Sequence, residues 1–209
     1  MLTAEKQKPK THRSTPKIPE SLIYEIMDGE PLYYKGYREV VSGRKTIEEI
    51  MGSSTLQSLL VEYFNRVLIK GLDENKYRIF SNETGVHISH RTNMANDIAV
   101  YEKSVLTPDK INKKYADVPC KIAVEIDIKA DLSKDRDYSY VQKKTQKLLD
   151  FGIEKVIWIF TGTQKITVAV ANENWQTMDW HKDVEMLEGL VANIGKYLDR
   201  EGIKIEIEE

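Results

Sequence analysis

The sequence predicts an α/β (α+β) domain with a mixed central β-sheet flanked by helices. Three observations carry this reading. The segment "KIAVEIDI" places Ile122, Val124, Ile126 and Ile128 at every second position, and "VIWIF" is a short apolar run; both read as strands. Segments such as "TLQSLLVEYFNRVLIKG" and "SYVQKKTQKLLDFG" place their apolar residues on one stripe of a helix. The two kinds are interspersed along the chain, the order expected when helices pack onto a sheet.

Residues 1–18 are rich in Lys, Pro and Thr and read as a disordered basic tail; residues 19–209 read as a single domain. "SLIYEIMDGEPLYYKGYREVVSG" predicts a short hairpin or irregular strands, with Gly29 and Gly36 marking turns. A helix follows, with Ile50, Leu56, Leu59, Leu60, Tyr63, Phe64 and Val67 on its stripe, Ser53 or Ser54 as cap and Gly71 as stop. Strands are expected over "YRIFSNETGVHIS", broken at Gly85, and over "ANDIAVYEK". After a loop over about 104–118 comes a strand over 120–130, then a helix ending at Gly152. "KVIWIFTGTQKITVAVAN" predicts a hairpin, "WQTMDW" an edge strand, and "DVEMLEGLVANIGKYLDREG" an amphipathic terminal helix.

The bulk composition narrows the function. A chain of 209 residues with 41% hydrophobic residues can bury a self-sufficient core. The net charge of −2 argues against a dedicated nucleic-acid coat or a membrane-surface protein, without excluding a local basic patch. One cysteine, Cys120, excludes an internal disulfide and a structural zinc site and fits a reducing compartment. No segment approaches a membrane span and the N-terminus lacks a signal-peptide pattern, so a cytoplasmic protein is expected. The Gly-Lys pair of "GLVANIGKY" lacks phosphate-loop spacing, and no serine has a G-x-S-x-G context. His87 and His90, three apart on an expected strand, would face opposite ways.

The strand over 120–130 is unusual. Ile122, Val124, Ile126 and Ile128 form its apolar face, and Glu125, Asp127 and Lys129 line up on the other. Asp97 sits at the start of the preceding strand. Acids converging from adjacent strands repel unless a cation neutralises them, and Mg²⁺ takes such oxygen ligands. With a nearby lysine these are the parts of metal-assisted phosphodiester hydrolysis. From the residues alone, a solvated charged face is the rival reading.

The pattern resembles the PD-(D/E)XK nuclease superfamily. "ANDIAV" stands at its Pro-Asp, with Asn96 in place of the proline, and "EIDIK" supplies acid-x-lysine as Asp127-Ile128-Lys129. More narrowly, "YEIMDGE", "NDIAVYEK", "KIAVEI" and "KTQKLLDFGIEKVIWIF" occur in the order of the Uma-type putative restriction endonuclease family. The resemblance implies a restriction-endonuclease-like core and a DNA endonuclease using Mg²⁺, with Mn²⁺ as a substitute, working as a homodimer. The alternative is an inactive module of that fold that binds nucleic acid or protein. Asp97 and Glu125 are the implied metal ligands, Asp127 an additional ligand or supporting acid. Lys129 is the first choice for the catalytic lysine, and Lys144, supplied from the following helix, the second. Glu62 and Glu83 could add metal or water contacts, and Lys134, Arg136, Lys143, Lys144 and Lys147 could form a basic rim for phosphates. For each of these, a plain surface role is the competing reading.

Overall fold

A computed structural model describes residues 18–131 and 137–206. The expected basic tail, apart from Ile18, lies outside the described residues, as do Lys134 and Arg136.

Asp28 and Gly29 both adopt positive φ, 54° and 84°, and close a hairpin between β1 (Ile23–Met27) and β2 (Glu30–Tyr33). Short helices α1 (Tyr37–Val41) and α2 (Glu48–Met51) lead into α3 (Thr55–Gly71). The Ser54 side chain caps α3 by accepting from Gln57 N at 3.1 Å. Then come β3 (Tyr77–Phe80), β4 (Thr84–Ser89), β5 (Thr92–Asn96), β6 (Ile98–Glu102) and β7 (Ile122–Ile126). Helix α4 (Asp137–Phe151) carries the chain to β8 (Lys155–Phe160), which is followed by β9 (Lys165–Val170) and β10 (Gln176–Asp179).

The strands form a six-stranded sheet ordered β10-β9-β8-β7-β6-β3 and a four-stranded sheet ordered β2-β1-β5-β4. In the large sheet β7 and β8 run parallel and the other pairs antiparallel, so the sheet is mixed as expected. Strands β5 and β6 belong to different sheets and are separated only by Asp97, which therefore sits at the bend between them. The sequence reading had one strand running through this point.

Each face of the large sheet carries its own core. Ile98, Val124, Ile126 and Ile157 pack under Leu60, Phe64 and Leu68 of α3. Ala99, Ala123, Trp158 and Ala169 face Tyr140, Val141 and Leu148 of α4 together with Met27 and Met94 of the small sheet. Three alanines on this second face leave room for a helix and a sheet to approach the same strands.

Two expectations are corrected. The strand over 120–130 ends at Ile126, because Asp127 turns to φ 58°, so the row Glu125-Asp127-Lys129 does not exist. The expected terminal helix over 183–202 is a hairpin, β11 (Val184–Leu187) and β12 (Leu190–Ala192), followed by α5 (Ile194–Glu201). Glu188 and Gly189, with φ 52° and 78°, make its turn, and Asn193 starts α5 by accepting from Lys196 N at 2.8 Å. Val184 and Met186 are both buried, a period of two. No helix among the described residues is long and apolar enough to cross a membrane.

Candidate active site

Strand register brings Asp97 and Glu125 together. Ile98 pairs with Val124 at the end of the antiparallel β6–β7 ladder, so Asp97, at the bend before β6, and Glu125 of β7 adjoin that pair, and the Asp97 charge is felt at Glu125. Asp97 Oδ2 accepts the Ile126 backbone N–H at 2.7 Å, and Oδ1 accepts Gln57 Nε2 at 3.2 Å. Burial pushes the Asp97 carboxyl up, against the pull of the Ile126 N–H and of Lys129.

Glu125 is fully enclosed. Its Oε2 is 3.1 Å from Lys144 Nζ, while Oε1 is buried without a hydrogen-bond partner. Burial drives its carboxyl well above the usual glutamate range, against the pull of Lys144, with Asp97 and Glu25 adding to the rise.

Lys144 is 0% exposed, which is rare for an ammonium and requires compensation. It donates to Glu25 Oε1 at 2.6 Å and to the Ala95 carbonyl at 2.9 Å, in addition to its contact with Glu125. Its ammonium also lies 5.6 Å from the centroid of the Trp158 ring and 5.9 Å from that of Tyr24. Desolvation would lower its pKa, but the Glu125 and Glu25 carboxylates outweigh it and hold Lys144 protonated. Tyr140, one helical turn earlier on α4, donates to Glu25 Oε2 at 2.8 Å, and Ala95 N–H donates to Glu25 Oε1 at 3.2 Å. Glu25 thus enters from the small sheet and ties it to α4.

Lys129 stands at the edge of this cluster. Its side chain keeps 14% exposure, pairs with Glu83, meets Ser53 Oγ at 3.3 Å and lies 3.9 Å from Asp97 Oδ1. Asp127, expected as a metal ligand or supporting acid, is elsewhere: Oδ1 accepts Thr161 N at 2.8 Å and Oδ2 accepts Thr161 Oγ1 at 2.7 Å. Both oxygens are engaged at the end of β8. Glu62 pairs with Arg66 along α3. Lys144 cannot belong to a basic rim because it is buried; Lys143 is exposed, and Lys147 pairs with Asp28 at 2.6 Å.

Glu25, Gln57 and Tyr140 were not singled out from the sequence. Glu25 lies inside the quoted "YEIMDGE", and Tyr140 and Lys144 have the four-residue spacing of one helix face, so a signal was present for both. Nothing in the local sequence marks Gln57.

Among the described residues no group of three His, Cys, Asp or Glu side chains is arranged to hold a metal ion. The expected trio Asp97, Glu125 and Asp127 therefore reduces to a pair. That pair still fits a hard cation: the partnerless Glu125 Oε1 needs a positive charge or a proton, and Asp97 and the Ile126 carbonyl converge on Gln57 Nε2 at 3.2 Å each.

No family model and no curated protein matches the chain. Among solved structures it is similar to a protein of Anabaena variabilis ATCC 29413 described as a "putative nuclease belonging to DUF820", with a TM-score of 0.59 and 17% identity over 84% of this chain and 89% of that one. At this identity the likeness is one of architecture: the chain shares the α+β fold of that protein.

Proposed function

We propose that the protein is a divalent-metal-dependent endonuclease that hydrolyses DNA phosphodiester bonds, using Mg²⁺ or, in its place, Mn²⁺. The observation that carries this is the approach of Asp97, at the bend before β6, to Glu125 of β7, with one buried carboxylate oxygen lacking any partner. The description of the Anabaena protein as a nuclease supports the same reading.

Asp97, Glu125 and the Ile126 carbonyl would hold the ion. A bound divalent ion supplies a Lewis acid for the phosphate and lowers the pKa of its water. The chain's own residues divide the remaining work by access. An ammonium has three N–H donors. Those of Lys144 are taken up by Glu25, Glu125 and the Ala95 carbonyl, and none reaches solvent. Lys144 therefore positions Glu125 and offsets the charge of the two glutamates. Lys129, beside Asp97 and partly exposed, presents the ammonium that meets a phosphate oxygen, in exchange for Glu83. Lys143, exposed on α4, offers a further phosphate contact.

Cleavage of plasmid and oligonucleotide DNA with Mg²⁺ or Mn²⁺ tests this reading. Wild type should cut, and Asp97→Ala, Glu125→Ala and Lys129→Ala should each slow cutting by ~10²-fold or more, the usual loss when one group acting on transition-state charge is removed. A folded wild-type protein that cuts neither substrate, or an Asp97→Ala variant that cuts equally well, would refute it.

A further inference from the structure

We infer that Gln57 competes with the divalent ion and so sets the metal affinity of this site. The inference rests on the metal-dependent reading above and adds a residue that controls it. Gln57 is only 5% exposed although it lies in the first turn of α3. Its amide reaches over the bend between the two sheets and makes two bonds, to Asp97 Oδ1 at 3.2 Å and to the Ile126 carbonyl at 3.2 Å. Both partners are acceptors, so the group between them must be the NH₂ end. Two oxygens that converge on one donor, one of them anionic, are also a fragment of a hard-cation shell.

An ion bound by these oxygens sits at about 2.0–2.6 Å from each, closer than the amide nitrogen now does. The two cannot share the position. Ion binding must therefore break both Gln57 bonds and turn its side chain away. Ser54 fixes the helix start by accepting Gln57 N, so the swing is confined to the side chain. In the metal-free protein the amide supplies partial positive charge to Asp97 at the point where full charge is needed for chemistry. Gln57 thus occupies these two oxygens when no ion is bound and raises the ion concentration needed to fill the site.

The test is Mn²⁺ binding, followed by titration calorimetry and by the Mn²⁺ electron paramagnetic resonance signal, on wild type, Gln57→Met, Gln57→Ala and Asp97→Ala. Gln57→Met keeps the length and apolar packing of the side chain but donates no hydrogen bond, so it guards against a collapsed helix start in Gln57→Ala. Removing the competitor should tighten Mn²⁺ binding roughly tenfold, the order set by one hydrogen bond to a charged group. Asp97→Ala should abolish binding. Unchanged or weaker binding in folded Gln57→Met, with wild type still binding through Asp97, would overturn the role of Gln57 alone. Binding by neither wild type nor Gln57→Met would sink the metal-dependent reading together with it. Binding that appears only in Gln57→Met would be the strongest form of the competition.

Discussion

Lys144→Met is the most informative single change. It deletes the ammonium and leaves Glu25 and Glu125 facing each other in a dry interior, at 3% and 2% exposure. Removing one partner of a buried ion pair costs about 3–5 kcal/mol, because the remaining charge has neither water nor a counter-ion. For a domain of this size each kcal/mol lowers Tm by about 2–4 °C, giving a deficit of about 6–20 °C. The deficit also has a pH signature. Glu125 is already pushed above its ordinary range by burial, and Lys144 is the largest influence opposing that rise. Without Lys144 its proton affinity climbs further. A carboxyl with a raised folded-state pKa favours the fold below its unfolded value, near 4.3, and loses that contribution as pH rises through the folded value. Calorimetric melts of wild type and variant at pH 8 and pH 5 should therefore show a large deficit at pH 8 that shrinks at pH 5. Adding Glu125→Gln to Lys144→Met, which removes one stranded charge, should restore part of the loss. A variant within about 2 °C of wild type at pH 8, or a deficit of equal size at both pH values, would mean that Lys144 does not hold these acids in place.

The remaining predictions separate structural acids from functional ones. Asp127→Ala removes two hydrogen bonds to Thr161 and places alanine at φ 58°, so it should cost about 1–3 kcal/mol in denaturant unfolding. Its cleavage rate, measured well below the melting transition, should stay at the wild-type level; a loss as deep as that of Asp97→Ala would return Asp127 to the site. Metal binding should depend on pH. Burial raises both Asp97 and Glu125, and an ion must displace whatever protons they hold, so Mn²⁺ affinity should fall with decreasing pH, starting above the range in which solvated carboxylates titrate. Ordinary solvated carboxylates, which titrate near pH 4, would give a flat profile above that range.

Much of the fold was legible because hydrophobic period is a local property. The stripe of α3, the alternating start of β7 and the short apolar run of β8 depend on residues a few positions apart, and the structure places these elements there. The neighbourhood of Asp97 and Glu125 was legible only in part: the β6–β7 ladder pairs Ile98 with Val124 beside them, but that Asp97 stands at a bend between two sheets was not. What local period could not show was where a strand stops. Asp127 reads as the next polar residue of an alternating run until its backbone turns to positive φ and its carboxylate accepts from Thr161, in the turn just past the end of β8. The β11–β12 hairpin was hidden similarly. "DVEMLEGLVANIGKYL" satisfies a helical stripe, and only the positive-φ turn at Glu188 and Gly189 and the cap at Asn193 divide it. Glu25 was the deepest omission. Within "IYEIM" an acid is what the solvated face of a hairpin strand would carry; its burial follows from the small sheet meeting α4, a contact 119 residues away in sequence.

Charge explains why such an arrangement is tolerable at all. Glu25, Asp97 and Glu125 contribute three negative charges when ionised and Lys144 one positive, a balance of −2 in the interior around the bend. Lys129 answers part of this from the rim but is itself paired with Glu83. Two states relieve the imbalance. A proton on Glu125 satisfies the oxygen that lacks a partner, with Gln57 supplying a neutral dipole to Asp97. A divalent ion between Asp97 and Glu125 does the same with full charge and leaves Glu25 paired to Lys144. The first state needs no cofactor; the second is the one the proposed chemistry requires. Both states use Lys144 in the same way, which is why it is buried with all its donors engaged while Lys129, the lysine that must exchange partners, stays within reach of water.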